Sequence, residues 1–318
     1  MRSTVLRRTA ASVSIALAVV GLAGCGDDDD AGAGAGGSSS AATSAAAAPT
    51  PPPVENAVTI KGVDYGYVLD KPAVDSGTTK ITFANEGKDA HMLVFGAIAA
   101  GKTFADAQAV LKTEDEKDDS AVFSNFGGDS KAGPFGTPDI LTAGASTTTY
   151  TELKPGSYAL ICFFPTPDGK PHFAAGMLAE FTVNATATTA AAPTTTAEAT
   201  LADDKITIPD LSSGKATLKV TNTGKKDHNF FLAKIPAGST LEAQNALVAK
   251  YFMGQAKVET LGELFQGGVS ALPPGSSAVL ELNLSPGTYV VICTESDSDE
   301  DGKEHFVLNG EKAPFTVV

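Results

Sequence analysis

The chain repeats itself, and that limits the folds open to it. ANEGKDAHMLVFGAIAAG at 84–101 runs parallel to TNTGKKDHNFFLAKIPAG at 221–238. GASTTTYTELKPGSYALIC at 144–162 matches GSSAVLELNLSPGTYVVIC at 275–293 without a gap, DGKPHF (168–173) matches DGKEHF (301–306), and EFTV (180–183) matches PFTV (314–317). Whatever the architecture is, a block of ordinary domain size must be able to build it twice. Two biased segments bracket the copies. Residues 26–55, with no hydrophobic residue larger than valine, read as a solvated tether, and the Thr/Ala-rich stretch 185–200 reads as a linker. The expected domains are therefore 56–184 and 201–318.

Each copy reads as mostly strand. KITFANEG (80–87) and ATLKVTNTG (216–224) alternate apolar and polar residues before a glycine, the pattern of a half-buried strand. STTTYTEL, then Lys154-Pro155-Gly156, then SYALICFF spells strand, tight turn and strand, and Pro286-Gly287 makes the same turn in the second copy. One helix per copy is expected, over 103–112 and 239–250, the second opened by a capping box of Ser239 and Glu242. Short strands, turn signals and a single helix predict an all-β fold: an antiparallel β-sandwich in each copy.

The first 25 residues are a leader. Arg2, Arg7 and Arg8 precede an apolar run, Ala10 to Ala23, too short to span a bilayer, which ends in Leu22-Ala23-Gly24-Cys25. This order resembles the lipobox of bacterial lipoproteins, which implies that Cys25 becomes the lipidated first residue of the mature chain. Cleavage there removes every arginine, so the 23 basic residues fall to 20 lysines against 37 acidic side chains, a net charge of −17. Such a surface repels nucleic acid and excludes it as a partner. The expected location is the extracytoplasmic face of a cell membrane, reached by lipid anchoring.

Histidine and cysteine are scarce and ordered. The chain's four histidines fall two to a copy, at equivalent positions, and each pair brackets a cysteine: His91, Cys162, His172 and then His228, Cys293, His305. A period of two places Tyr158, Leu160 and Cys162 on one strand face, and Tyr289, Val291 and Cys293 likewise. Each thiol therefore ends a core strand of its own copy, and a disulfide between them is not expected. Six residues of these types in matched order point to metal rather than to satisfied core side chains.

Asn85-x-Gly87-x-x-x-His91, then Pro155-Gly156-x-Tyr158-x-x-x-Cys162, then His172-x-x-x-Gly176-Met177 resembles the cupredoxin family of plastocyanin, azurin and related blue-copper domains. The resemblance covers both copies. It implies two tandem Greek-key β-sandwiches that carry copper at one pole. The implied ligands are His91, Cys162, His172 and an axial Met177. A thiolate and two imidazoles with a weak thioether suit copper in both oxidation states. The nine residues between Cys162 and His172 exceed the plastocyanin spacing, and Met92 follows His91 where the family has the asparagine that the second copy keeps as Asn229. In the second copy the methionine is missing. Alignment from PFTV brings Glu311 to its place, so Glu311 gives an oxygen ligand or the site has three ligands or is degenerate. The acidic run Asp297–Gly302 resembles the start of a calcium loop, but Leu308 stands where the closing carboxylate belongs.

The resemblance implies single-electron transfer between membrane-bound redox partners, whose docking surfaces would be basic to suit this acidic chain. Catalysis is not expected. Copper nitrite reductases place a histidine directly before the cysteine, where Ile161 and Ile292 stand here, and no His-x-His motif of the multicopper oxidases is present. The alternatives are a metal-free surface binding module that kept the sandwich, and copper sequestration without a redox role.

Overall fold

The computed structural model describes residues 55–113, 134–166, 168–252, 264–295, 305 and 312–318. The leader with Cys25, the tether up to residue 54, the acidic run 297–302 and Glu311 lie outside the described residues.

The apolar alternation becomes strands where it was expected, in the chain order β1 (Ala57–Val63), β2 (Gly66–Leu69), β3 (Ala73–Asn85), β4 (Val94–Ala97), α1 (Phe104–Thr113), β5 (Ser146–Leu153), β6 (Gly156–Ile161) and β7 (Leu178–Ala187). The second repeat follows as β8 (Ala197–Ala202), β9 (Lys205–Thr207), β10 (Gly214–Asn222), β11 (His228–Lys234), α2 (Leu241–Phe252), β12 (Phe265–Leu272), β13 (Ser277–Leu284), β14 (Gly287–Ile292) and β15 (Lys312–Val317). The protein is all-β, with one short helix in each repeat among the described residues. In the first sandwich β1, β3 and β5 make one sheet while β4, β6 and β7 make the other. The long β3 serves both, pairing in parallel with β1 at one end and with β7 at the other. Between them lie Ile60, Ile81, Phe83, Phe95, Leu160 and Phe181, a core that is essentially dry. The second repeat copies this with β8, β10 and β13 against β11, β12, β14 and β15 around Leu218, Phe230, Leu280 and Val291.

Composition marks 185–200 as linker, yet both of its ends are strand. β7 reaches Ala187, paired with Ser76, and β8 opens at Ala197, paired with Leu218. β-branched threonines suit an edge strand as readily as a coil.

The helices begin where their caps dictate. Thr103 Oγ1 accepts the Asp106 N–H at 3.2 Å, and Asp106 Oδ2 accepts the Thr103 N–H at 2.8 Å, a reciprocal box that the sequence reading missed. In α2 the capping oxygen is that of Thr240, which accepts the Ala243 N–H. Ser239 instead accepts from the Gln244 side chain, so the box expected of Ser239 and Glu242 does not form and a simple cap one residue later replaces it. Among the described residues no helix is long and apolar enough to cross a membrane.

The two repeats are joined edge to edge. β5 pairs antiparallel with β13, Thr149 facing Leu280, so the sheets β1–β3–β5 and β13–β10–β8 are continuous. Thr149 and Leu280 are equivalent positions in the ungapped alignment, so a pseudo-twofold axis passes between them. The same axis recurs one layer down. The segment 134–142 runs antiparallel to β12, with Pro138 facing its equivalent Val269 and with hydrogen bonds from Gly136 N–H to Ala271 O and from Ser270 N–H to Thr137 O. Self-complementary pairing of this kind is how identical subunits make a closed dimer; here both halves belong to one chain. Thr147, Thr149 and Thr151 are buried on β5, and the Thr151 hydroxyl donates to Gly136 O at 2.7 Å.

Candidate metal centres

At the pole of the first sandwich, three elements deliver three side chains. His91 sits in a bridge to Leu141, with hydrogen bonds in both directions between their backbones at 3.0 and 2.9 Å. Asn85, at the end of β3, locks this bridge: its Nδ2 donates to Leu141 O and Asp89 O, and its Oδ1 accepts the Gly87 N–H. Cys162 follows the last residue of β6. His172 and Met177 come from the loop beyond it, which is ordered by its own backbone. His172 N–H donates to Phe164 O, Thr166 N–H to Lys170 O, and Pro165 bridges Pro171, so the long Cys–His spacing folds into a small hairpin. Phe173 N–H then returns to Cys162 O, and Cys162 N–H reaches Met177 O at 3.4 Å.

The donor atoms converge. His91 Nδ1 and His172 Nδ1 lie 3.2 Å apart, and Cys162 Sγ lies 3.4 Å from His172 Nδ1. In the second repeat Cys293 Sγ stands 3.5 Å from His228 Nδ1 and 3.6 Å from His305 Nδ1. All ligand atoms of each group fall within 4.8 Å of one another, and all six residues are completely buried. An ion bound about 2.0 Å from nitrogen and about 2.3 Å from sulfur in a trigonal plane would hold such donors roughly 3.5–3.7 Å apart. The second repeat's 3.5 and 3.6 Å lie close to this, and the first repeat's 3.2 and 3.4 Å are somewhat tighter. Cys162 and Cys293 form no disulfide, as expected. Met177 is fully buried in the apolar cluster that contains Cys162, and that cluster also includes Phe231, Phe265 and Val290 of the second repeat. The second repeat thus helps to keep the first centre dry.

The imidazoles are uncharged, as ligands must be, while the thiol has a proton to give up. Burial pushes the Cys162 thiol up to about 12, against backbone N–H donors from Met92 and Phe164. Burial, then the neighbouring His91, holds His172 down at about 4, and burial lowers His91 against the pull of Asp64. At neutral pH the first centre is a thiol and two uncharged imidazoles. His172 Nε2 has no hydrogen-bond partner, and the Tyr65 ring lies over this imidazole at 4.5 Å between centroids. A folded histidine that titrates below its unfolded value leaves the unfolded chain holding more protons. The metal-free protein should therefore lose stability as pH falls from about 6.5 towards about 4.

Two side chains around the centres differ between the repeats. Met92 donates its N–H to Cys162 Sγ at 3.3 Å and packs into the apolar cluster. Asn229 in its place bonds Thr294 Oγ1, Glu295 Oε1 and the Thr294 N–H, tying β11 to the cysteine loop. Asp139 is a buried carboxyl on the segment that joins the repeats. It is 7 % exposed, and its Oδ1 has no partner. Burial, then the charge of Glu295, lifts it to about 8. The folded state then binds a proton that the unfolded state has lost, so this group costs stability as pH rises from about 4 through 8. Asp139→Asn is expected to raise the melting temperature by about 5 °C more at pH 9 than at pH 5, which corresponds to roughly 2 kcal/mol. Equal shifts at both pH values would mean that the carboxyl is solvated or paired.

Sequence pattern marks out the six ligand candidates but not Asp64 and Asp203, which contact the outer nitrogens of His91 and His228 at 2.9 and 3.2 Å. The available signal was their matched place, one residue into the turn between the first two strands of each repeat.

No family profile matches the chain, and no curated protein matches it. Solved structures do align. Reduced auracyanin from Roseiflexus castenholzii is 20 % identical over 40 % of this chain and 99 % of its own, with a TM-score of 0.26. Auracyanin A from Chloroflexus aurantiacus, described as a "blue" copper protein, is 17 % identical over 38 % of this chain and 99 % of its own, with a TM-score of 0.27. Copper nitrite reductase from Nitrosomonas europaea is 12 % identical over 82 % of this chain and 93 % of its own, with a TM-score of 0.21. Superpositions at these scores assign neither a metal nor an activity.

Proposed function

We propose that the chain is a lipid-anchored copper protein that carries single electrons on the outer face of a cell membrane, with a type 1 copper held by His91, Cys162, His172 and Met177. The observation that carries this reading is the convergence of two Nδ1 atoms and one Sγ in a dry pocket, twice in one chain. Copper bound by a thiolate and two imidazoles supplies a reversible one-electron couple.

The remaining work falls to the chain. The Asn85-locked bridge at His91, the end of β6 at Cys162 and the loop hairpin at His172 fix the donors before any ion arrives, so little has to rearrange when charge changes. The apolar surroundings keep water from the thiolate. Binding requires the thiol proton to leave and takes none from the imidazoles. Uptake at the first centre should therefore release about one proton, and apparent affinity should rise about tenfold per pH unit between about 7 and 9. All four histidines are used in the two groups, which favours a carrier over a catalyst. The net charge of −17 expected after cleavage at Cys25 favours partners with basic docking surfaces and association that weakens with salt. The second repeat offers His228, Cys293 and His305 in the same arrangement, with Glu311 as the remaining candidate.

The test is spectroscopic. Cu(II) added to the purified protein at neutral pH should produce an intense visible thiolate-to-copper band that ascorbate bleaches and an oxidant restores. Absence of the band rules out the electron-carrier reading. Lipid attachment is checked separately: labelled palmitate should enter the expressed chain and fail to enter Cys25→Ala.

A further inference from the structure

The first histidine of each centre has a carboxylate on its far nitrogen. His91 Nε2 lies 2.9 Å from Asp64 Oδ1, and His228 Nε2 lies 3.2 Å from Asp203 Oδ1. Each carboxylate is itself held in place. Asp64 accepts the N–H groups of Lys88 and Asp89, and Asp203 those of Lys225 and Lys226. Both carboxyl groups are thus already acceptors of two backbone N–H groups each when they meet the ring. Room has been left for the pair. A β-carbon on Gly87 would overlap Asp64 Oδ1 and come within 2.5 Å of His91 Nε2; one on Gly224 would overlap Asp203 Oδ1 and come within 2.9 Å of His228 Nε2. Neither glycine has a positive φ, so the space occupied by the carboxylate–imidazole pair, not a turn, is what requires glycine there.

We propose that Asp64 and Asp203 are positioning residues that hold the proton of His91 and His228 on Nε2, so that each Nδ1 presents a bare lone pair to the other donors of its centre before metal arrives. The role in metal binding rests on the copper reading above; the tautomer does not. An ionised carboxylate accepts and cannot donate, so the ring must place its N–H towards it. The Nδ1 that faces His172 in the first centre and Cys293 in the second is then unprotonated, as a metal ligand must be, and the ring is fixed in rotation. Both repeats keep this device although only the first has the methionine. The carboxylate thus belongs to the two-histidine, one-thiolate core common to both centres. The adjacent residue differs: Tyr65 covers His172 in the first repeat, and Asp204 stands at its place in the second.

The test begins without copper. Nitrogen-15 spectra of the metal-free full chain should show His91 and His228 as Nε2–H tautomers. Asp64→Ala should let His91 exchange between tautomers and leave His228 unchanged, while Asp203→Ala should do the reverse. A general loss of fold would disturb both rings, so each variant carries its own control. Copper titration should then show affinity for the first centre about 10- to 100-fold lower in Asp64→Ala, with part of that recovered in Asp64→Asn, which keeps an oxygen for the ring N–H. Nδ1–H tautomers in the unaltered protein, or an Asp64→Ala variant with tautomer and affinity unchanged, would overturn the proposal. Nε2–H tautomers in a protein that takes up no copper would uphold the carboxylate's hold on the ring and refute the copper reading.

Discussion

Cys162→Ala is expected to lower copper affinity at the first centre by more than about 100-fold and to remove that centre's share of the visible band. The thiolate supplies the only anionic donor in the His91–Cys162–His172 group. Losing it should exceed the 10- to 100-fold cost of losing an outer hydrogen-bond partner. The fold should survive. The side chain is small and lies in an apolar cluster with Phe164 and Met177, and its backbone bonds to Met177 and Phe173 do not involve the thiol. Truncation costs on the order of 1 kcal/mol, a few degrees of melting temperature. Cys293→Ala should do the same at the second centre alone. Copper stoichiometry by titration, read with the melting temperature, separates lost ligand from lost fold. A full band in Cys162→Ala would place the metal elsewhere.

Matched order carried the reading from sequence a long way. His91, Cys162 and His172 announce themselves by type and by their copies at His228, Cys293 and His305, and period-two alternation placed the cysteines at strand ends where the structure has them. What stayed hidden depends on contacts across long separations. Asp64 looks like any solvated turn carboxylate until the fold sets it against a ring 27 residues away. Gly87 looks like a turn glycine, whereas its backbone is ordinary and the missing β-carbon is the point. STTTYTEL reads simply as a strand, yet its Thr147, Thr149 and Thr151 are buried because β13 and β12 of the other repeat lie against it. The joint itself is invisible to periodicity, since edge strands of either repeat show the same alternation whether they pair or face water. Even so, the equivalence of Thr149 with Leu280 is written in the ungapped alignment, and the same offset carried back six residues relates Pro138 to Val269. A duplicated gene product that kept a dimer's pairing would leave that trace.

That joint makes the second centre depend on β12, and Gly268→Ala is the change expected to damage the fold most. Gly268 pairs with Phe231 between two register shifts at which β12 carries the extra residue, and its φ of +146° lies where side chains are strained. An added β-carbon would land on the Phe230 carbonyl oxygen, backbone that cannot swing aside as a side-chain end could. Either β12 gives up its φ or β11 withdraws from it. Strain and overpacking together cost about 3–5 kcal/mol, roughly 10 °C in melting temperature for a unit of this size. The consequence for chemistry follows from the register. His228 opens β11 two residues before Phe230 and pairs with Leu272 of β12, so displacing β11 pulls an imidazole away from Cys293. Copper binding at the second centre should weaken before the protein unfolds, and more than at the first, which loses apolar cover from Phe231 and Phe265 but keeps His91 bridged to Leu141 and locked by Asn85. Calorimetry of the metal-free variant and copper titration at 25 °C test the two halves of this expectation. A drop in melting temperature below about 3 °C would mean that the bulge relaxes more easily than its geometry implies.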